Sequence, residues 1–171
     1  MKALRVCIFL LLISFACFVS WGAVRAVKAI QFNQNCIQYI KRAADASSVE
    51  LAKEELAKVI NYCEKNDLTE GVVSIILSQP KNDVGYWYKN LTTAYAELDS
   101  LAEDASSVER TNMLMKIRET LTDAEESGVE VTYPNGISVY PNNVGYFLWA
   151  ILSLVGMVAF FSLGCAYVNR Y

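Results

Sequence analysis

The sequence predicts a mainly α-helical protein in which two transmembrane helices flank an antiparallel domain resembling a four-helix bundle, with a small β-hairpin before the second span. Hydrophobic residues make up 54% of the 171 residues, and charged residues make up only 19%. Residues 6–24 and 131–169 contain no charge at all. Between them, apolar residues recur every three or four positions, as they do along one face of a helix.

The first apolar segment, residues 6–24, follows a short basic N-terminus at residues 1–5. At ~1.5 Å per residue, a helix of this length spans about 28 Å, close to the hydrocarbon thickness of a bilayer. A removable signal peptide has a shorter apolar core of roughly 7–15 residues. We therefore expect a signal anchor, transmembrane helix 1. Small residues beside Arg25 and Lys28 leave a cleaved signal peptide as the alternative.

The second apolar segment, residues 144–168, predicts transmembrane helix 2, followed by a cytoplasmic tail at residues 169–171. Small residues recur every three positions along it, and small side chains let helices approach closely in lipid. We expect a packing seam with the first span or with another subunit, although chance in a segment rich in Ala, Gly and Ser explains the spacing equally well. The seam residues are Ala150, Ser153, Gly156, Ala159 and Ser162.

The distribution of charge along the sequence predicts the membrane topology and limits the classes of binding partner. Two spans place both termini on one side, and the short basic N-terminus favours the cytoplasm. Residues 25–128 then form an extracytoplasmic helical domain of a protein in the plasma or inner membrane. All 18 acidic residues lie between Asp45 and Glu130. An acidic domain without a basic stripe argues against nucleic acid, which leaves membrane lipid, another membrane protein or self-association.

The first two helices of the domain follow from periodicity and capping. The first helix is predicted to run unbroken out of the membrane and to stop near Asp45. Ser47 and Glu50 have the spacing of a capping box for the second helix, which ends around Asn66. That helix carries apolar residues on one face and charged residues, including the adjacent Glu54 and Glu55, on the other.

The third and fourth helices complete the predicted domain. Residues 84–101 show apolar positions alternating three and four apart without a break, so this helix needs partner helices. Ser106 and Glu109 again have capping-box spacing, and the fourth helix is expected to stop before Gly128. The hexapeptide Asp-Ala-Ser-Ser-Val-Glu occurs at residues 45–50 and at 104–109. We interpret this repeat as a marker of helix starts.

Two connecting segments have other patterns. Residues 72–77 are apolar apart from one serine, which fits either a short strand or a buried helical turn. Residues 129–140 alternate with a period of two on either side of Pro134, Asn135 and Gly136. This pattern predicts a β-hairpin connector at residues 129–143, with Gly136 left-handed in its turn.

The sequence contains no catalytic signature. It has no histidine, and therefore lacks the usual general base and the commonest metal ligand. No phosphate loop, zinc spacing or calcium loop occurs either. Adjacent carboxylates such as Glu54 and Glu55 point in different directions on a helix and are expected to be solvated. We therefore predict no catalytic, cofactor or metal residues, and no cofactor.

Two cysteines, Cys36 and Cys63, lie in the predicted domain. A domain outside the cytoplasm with two cysteines invites a disulfide. A turn centred near residues 46–47 places residue 36 beside about residue 57 of the antiparallel helix. Cys63 is then displaced from Cys36 by roughly 9 Å along the helix axis. Because a disulfide requires Cα atoms within about 7 Å, buried free thiols remain the alternative.

The sequence Tyr86-Trp87-Tyr88 is the most aromatic point of the domain. It predicts either an interface or ligand surface, or a core position for Trp87 flanked by two tyrosines.

Together these patterns predict a non-catalytic integral membrane protein, an accessory or assembly subunit of a membrane or envelope complex. The alternative is sensing, because a four-helix domain between two spans resembles the extracytoplasmic ligand domain of bacterial chemoreceptors in architecture, although no motif matches. Only Asn169, Arg170 and Tyr171 follow the second span, so sensing is expected to act through a partner membrane protein. An enzyme is the least supported of the three hypotheses.

Overall fold

The computed structural model describes residues 2–76, 78–125 and 128–169. These residues are mainly helical and include a small antiparallel sheet of two strands, which confirms the predicted class. The chain divides into two compact units. One contains the residues up to Lys28 and those from Asn142 onward, and the other is Ala29–Pro141.

The described residues include two helices that are long and apolar enough, by length and composition, to cross a membrane. Helix α1 spans Lys2–Phe32 and helix α6 spans Asn143–Val168. Their most apolar windows have mean hydropathies of 2.4 and 2.1. Large apolar side chains remain open on both helices, including Phe9 at 64% exposure and Leu152 at 70%. Such exposed apolar surface is unfavourable in water, so these two helices suit an apolar solvent.

The first helix continues beyond α1, as predicted. A π-helical turn at Asn33–Ile37 joins α1 to helix α2, Gln38–Ala44. Asp45 then ends the helix, and its N–H donates to the Lys41 carbonyl at 3.0 Å. The π-helical turn was not expected from the sequence. It adds a residue to one turn and therefore rotates the side chains that follow it.

The second unit packs four helices around one core. Helices α3, α4 and α5 span Val49–Lys65, Val84–Ser100 and Ser107–Leu121. Helix α2 contacts α3 and α5, and α4 contacts the same two helices. The largest fully buried apolar side chains from these helices are Ile40, Leu56, Val59, Val84, Leu91 and Ile117.

Helix α3 buries one charged residue that the sequence analysis placed in solvent. Glu55 is only 3% exposed, so that expectation was wrong. Its Oε1 atom lies 2.7 Å from Arg42 Nη2 and 3.1 Å from Lys58 Nζ. Glu55 follows Ala52 by three positions and precedes Val59 by four, which places it on the apolar face. The two cations offset the burial of its charge.

The helix starts follow the predicted capping chemistry with one shift. Ser106 and Glu109 form the complete capping box at the start of α5, as predicted. At α3, however, the N-cap is Ser48, one residue later than the predicted Ser47. Its Oγ accepts a hydrogen bond from the Leu51 N–H at 3.2 Å.

The β-hairpin lies earlier in the chain than predicted. Strands β1, Thr122–Glu125, and β2, Gly128–Val131, pair antiparallel, with Thr122 opposite Val131. The second half of the predicted hairpin is instead a 3₁₀ turn at Ile137–Val139. Ile137 and Val139 are both buried, so alternation alone did not distinguish a strand from this turn. Gly136 is left-handed, with φ of 86°, as expected.

The segment between α3 and α4 contains a 3₁₀ turn at Pro80–Asn82, whereas the described part of the apolar run, residues 72–76, forms neither a helix nor a regular strand. Val72 makes an isolated antiparallel bridge to Asp83, and the Val84 N–H donates to the Gly71 carbonyl at 2.8 Å. Gly71 has φ of 91°, and Tyr140 Oη lies where a side chain would begin. Leu77, the last residue of the predicted apolar run, lies outside the described residues.

Candidate binding cleft

A cleft of about 650 Å³ opens at the start of α4, within the second unit. Its walls come from the 3₁₀ turn at Pro80–Asn82, the first two turns of α4, the hairpin, and the chain that follows β2. Its lining includes Lys81, Asp83, Tyr86, Trp87, Asp123, Glu130, Thr132 and Tyr133.

Backbone and capping contacts fix the α4 wall of the cleft. The Asp83 carboxylate accepts a hydrogen bond from the Tyr86 N–H at 2.8 Å and so caps the helix. The Val73 N–H donates to the Asn82 carbonyl at 3.0 Å, which holds the preceding turn against the α3–α4 connection. Tyr86 is therefore presented from a fixed helix start, with 65% of its surface exposed.

Trp87 joins the cleft to the core. It is 6% exposed, and its Nε1–H donates to the Thr132 carbonyl at 2.9 Å. Its ring centroid lies 6.4 Å from that of Phe32, which in turn lies 5.8 Å from Tyr133. These contacts anchor the chain after β2 to α4 and turn the Tyr133 ring, 42% exposed, toward the cleft wall.

The three predicted aromatic residues separate. Tyr86 and Trp87 line the cleft, but Tyr88 does not. Tyr88 Oη donates to Glu64 Oε1 at 2.9 Å, which ties α4 to α3. Burial, followed by the hydrogen bond and the charge of Glu64, raises the pKa of Tyr88 to about 12. Tyr88 therefore remains a protonated donor at neutral pH and has a structural contact.

The charged groups of the cleft are mostly acidic. Asp83, Asp123 and Glu130 line it with a single cation, Lys81. Exposed aromatic faces and carboxylates are the two groups that bind ammonium and guanidinium cations, the first through the ring quadrupole and the second through charge. Chemically, this surface suits a basic or aromatic side chain of a partner, or a small organic cation.

Sequence reasoning missed the second wall of this cleft. Thr132 and Tyr133 were assigned to a hairpin connector, and the hydrogen bond between Thr132 and Trp87 spans 45 positions of sequence. The one available signal was Tyr133 itself, an aromatic residue beside the predicted turn at Pro134. Among the described residues, no group of three or more Cys, Asp or Glu side chains is arranged to hold a metal ion.

Cys36 and Cys63 meet in the core of the second unit. Both are fully buried, and their thiols are hydrogen bonded to each other. The expected offset of roughly 9 Å was therefore wrong. That expectation assumed parallel axes and a uniform α-helical pitch, whereas Cys36 lies in the π-helical turn, which packs on α3. Their sulfur atoms are not bonded to each other in this structure.

The predicted seam residues of the second span divide into two groups. A side chain added at Gly156 would meet Ser14 Oγ of α1 at 2.5 Å, so α1 and α6 touch there. Ser153 is buried, and Ala150 is half-buried. Ala159 and Ser162 are exposed. A helix has about 3.6 residues per turn, so residues spaced three apart move progressively around it and away from any one face.

Comparison of this chain with known protein families, curated proteins and solved structures found no match.

Proposed function

We propose that this chain is a two-pass integral membrane protein, with both termini in the cytoplasm, that presents residues 25–128 and the following connector outside the cytoplasm as an interaction domain. The domain acts without catalysis, as an accessory or assembly subunit of a membrane or envelope complex. Its helices α2 to α5 are proposed to act as a four-helix bundle, which supplies a rigid support for the binding surface.

The cleft at the start of α4 is the observation that supports this proposal most. Tyr86 is a large aromatic side chain left open on a capped helix, beside the Tyr133 ring and three carboxylates. Exposed tyrosines supply large contact areas at a small entropic cost, and they are enriched among the residues that dominate interfaces. The proposed partner is another membrane protein, which inserts one of its basic or aromatic side chains into this cleft.

Site-specific photo-crosslinking in cells tests the proposal. A photoreactive amino acid at position 86 is expected to capture one defined membrane protein at native expression. The same amino acid at Met115, which is 57% exposed on α5, is the matched control and is expected to capture none. Tyr86→Ala should also remove that protein from mild-detergent purifications, whereas Met115→Ala should retain it. Recovery of a lone monomer without a crosslink at position 86 contradicts the proposal.

A second candidate function, sensing of a small cation, is favoured by the size of the cleft. Its volume of about 650 Å³ falls within the range of small-molecule sites, ~300–1,000 Å³. A ligand that binds the folded state raises the melting temperature by mass action. Organic amines and guanidines that raise the melting temperature of the full chain in detergent, but not that of Tyr86→Ala, favour sensing. If no compound raises it, the protein-interaction function is favoured.

A further inference from the structure

The contact between Cys36 and Cys63 joins two helices at a buried point. Cys36 lies in the π-helical turn before α2, and Cys63 lies in the last turns of α3. Both side chains have 0% exposure, and the thiols are hydrogen bonded. Cys7, Cys17 and Cys165 all lie in α1 or α6. Within the second unit, therefore, Cys63 is the cysteine with which Cys36 can form a disulfide.

The surroundings of this pair are those of a structural site. The hydrogen bond with Cys63, followed by burial, raises the pKa of the Cys36 thiol. The neighbouring Tyr62 also has a raised pKa, caused first by burial. Since the thiolate is the nucleophile in disulfide exchange, a buried thiol of raised pKa reacts slowly once the domain has folded. The pair is thus unsuited to repeated oxidation and reduction in the native state.

We propose that Cys36 and Cys63 form an intramolecular disulfide that is introduced while the domain folds. The inference rests on the proposed position of the domain outside the cytoplasm, where disulfides form and persist. The oxidant is a protein disulfide carried by a dithiol–disulfide oxidoreductase. One cysteine thiolate attacks that disulfide to give a mixed disulfide, and the other displaces the enzyme thiol. Two protons leave the domain, and two electrons reduce the enzyme disulfide to a dithiol.

The structure explains what this bond does for the domain. The bond closes the loop that contains the α2–α3 connection and links the π-helical turn to the end of α3. Closing a loop restricts the unfolded chain and so favours the folded state. Both cysteines lie in the same buried core, where the π-helical turn packs on α3, so the bond links two segments that already contact each other.

Thiol trapping of the full chain tests the proposal. In a C7A/C17A/C165A background, Cys36 and Cys63 are the remaining cysteines. Cells are lysed in denaturant with an alkylating reagent, and the purified chain is weighed by mass spectrometry. We expect no alkyl group before reduction, two after reduction, and a protease-derived peptide pair that links the two residues. Two alkylated thiols without prior reduction overturn the proposal, as does a disulfide between two chains.

A topology readout separates this proposal from the proposed function. Met115→Cys introduces an exposed thiol on α5, and a membrane-impermeant maleimide labels it in intact cells when the domain lies outside the cytoplasm. Free Cys36 and Cys63 in a labelled domain overturn the disulfide alone. Free thiols in an unlabelled domain overturn the disulfide together with the topology. The crosslink at position 86 is measured separately and does not depend on either cysteine.

Thermal unfolding gives a second readout of the bond. The oxidised chain is expected to melt several degrees higher than the same chain reduced in denaturant and refolded. A C36S/C63S variant should melt at one temperature with or without reductant. Equal melting temperatures for the oxidised and reduced forms of the unsubstituted pair contradict a stabilising role for the disulfide.

Discussion

Residues 45–50 and 104–109 have the same sequence, Asp-Ala-Ser-Ser-Val-Glu, but differ in capping and in burial. In the first copy Ser48 caps α3 and Val49 is 7% exposed. In the second copy Ser106, the serine that corresponds to Ser47, caps α5, and Val108 is 65% exposed. The hexapeptide therefore encodes a helix start, but the residue at which the helix starts depends on the surroundings.

The cause of the difference lies in what each copy packs against. The first copy connects α2 to α3, which contact each other, and the core takes up Val49. The second copy follows a longer connection after α4 and leaves Val108 in solvent. With no burial to direct it, the second copy takes the reciprocal capping box, in which Glu109 Oε2 accepts from the Ser106 N–H at 2.7 Å.

The two copies also lie next to each other in the folded domain. Arg110, which follows the second copy, places Nη1 3.0 Å from Glu50 Oε1 of the first. Its Nη2 donates to the Glu103 carbonyl at 2.6 Å and its Nε to the Ala105 carbonyl at 3.2 Å. Arg110 thus holds the second connection and links it to the start of α3.

Substitution of the valine by alanine should give the largest difference in stability between the two copies. Val49→Ala is expected to reduce the free energy of unfolding by about 2 kcal/mol, because it deletes buried apolar surface and leaves a cavity. Val108→Ala is expected to change it by less than about 0.5 kcal/mol. Unfolding in detergent is followed by the fluorescence of Trp87 in a W21F/W149F background, where Trp87 is the remaining tryptophan. Equal effects of the two alanine substitutions contradict the difference in burial.

Substitution of the serines should give the next largest effect on stability. The second serine should be the sensitive one in the first copy, and the first serine in the second copy. Ser48→Ala and Ser106→Ala each remove an N-cap and are expected to cost about 1 kcal/mol. Their neighbours, Ser47→Ala and Ser107→Ala, serve as matched controls and should cost much less. The same fluorescence measurement reports all four variants. If the same serine of the hexapeptide is sensitive in both copies, the capping assignment of one helix is wrong.

Acid pH should give the smallest effect. Hydrogen bonds from the Ser106 side chain and backbone hold the pKa of Glu109 below 4.5. Hydrogen bonds from the backbone N–H of Glu50 and from the side chains of Ser48 and Arg110 lower the pKa of Glu50 in the same way. A lowered pKa in the folded state stabilises the domain above pH ~4.5, and this contribution is lost as the pH falls below it. Glu109→Gln should therefore flatten the decrease of melting temperature between about pH 5 and pH 3. Glu119→Gln on the same helix is the control, and an equal flattening by both variants contradicts this role of the capping box.

The sequence predicted elements where one pattern repeats over several turns. The buried residues of α4, including Val84, Leu91 and Leu98, lie on the predicted face. Trp87 is buried and Tyr86 is 65% exposed, whereas the role of this aromatic segment as an interface or ligand surface stays a prediction. The pattern failed where few residues carry it, as in the connector, where Ile137–Val139 is a 3₁₀ turn although its alternation predicts a strand. Glu55 was misplaced because its charge was given more weight than its spacing within the apolar face.

By itself, the sequence determined the helical class, the two apolar helices and the helix-start chemistry, because these properties depend on residues within a few positions of one another. Tertiary structure decided which serine caps each helix, where the hairpin forms, which rings line the cleft, and that Cys36 meets Cys63. Each of these outcomes depends on contacts between distant segments. Their energies are set by burial in a shared core, which no local pattern encodes.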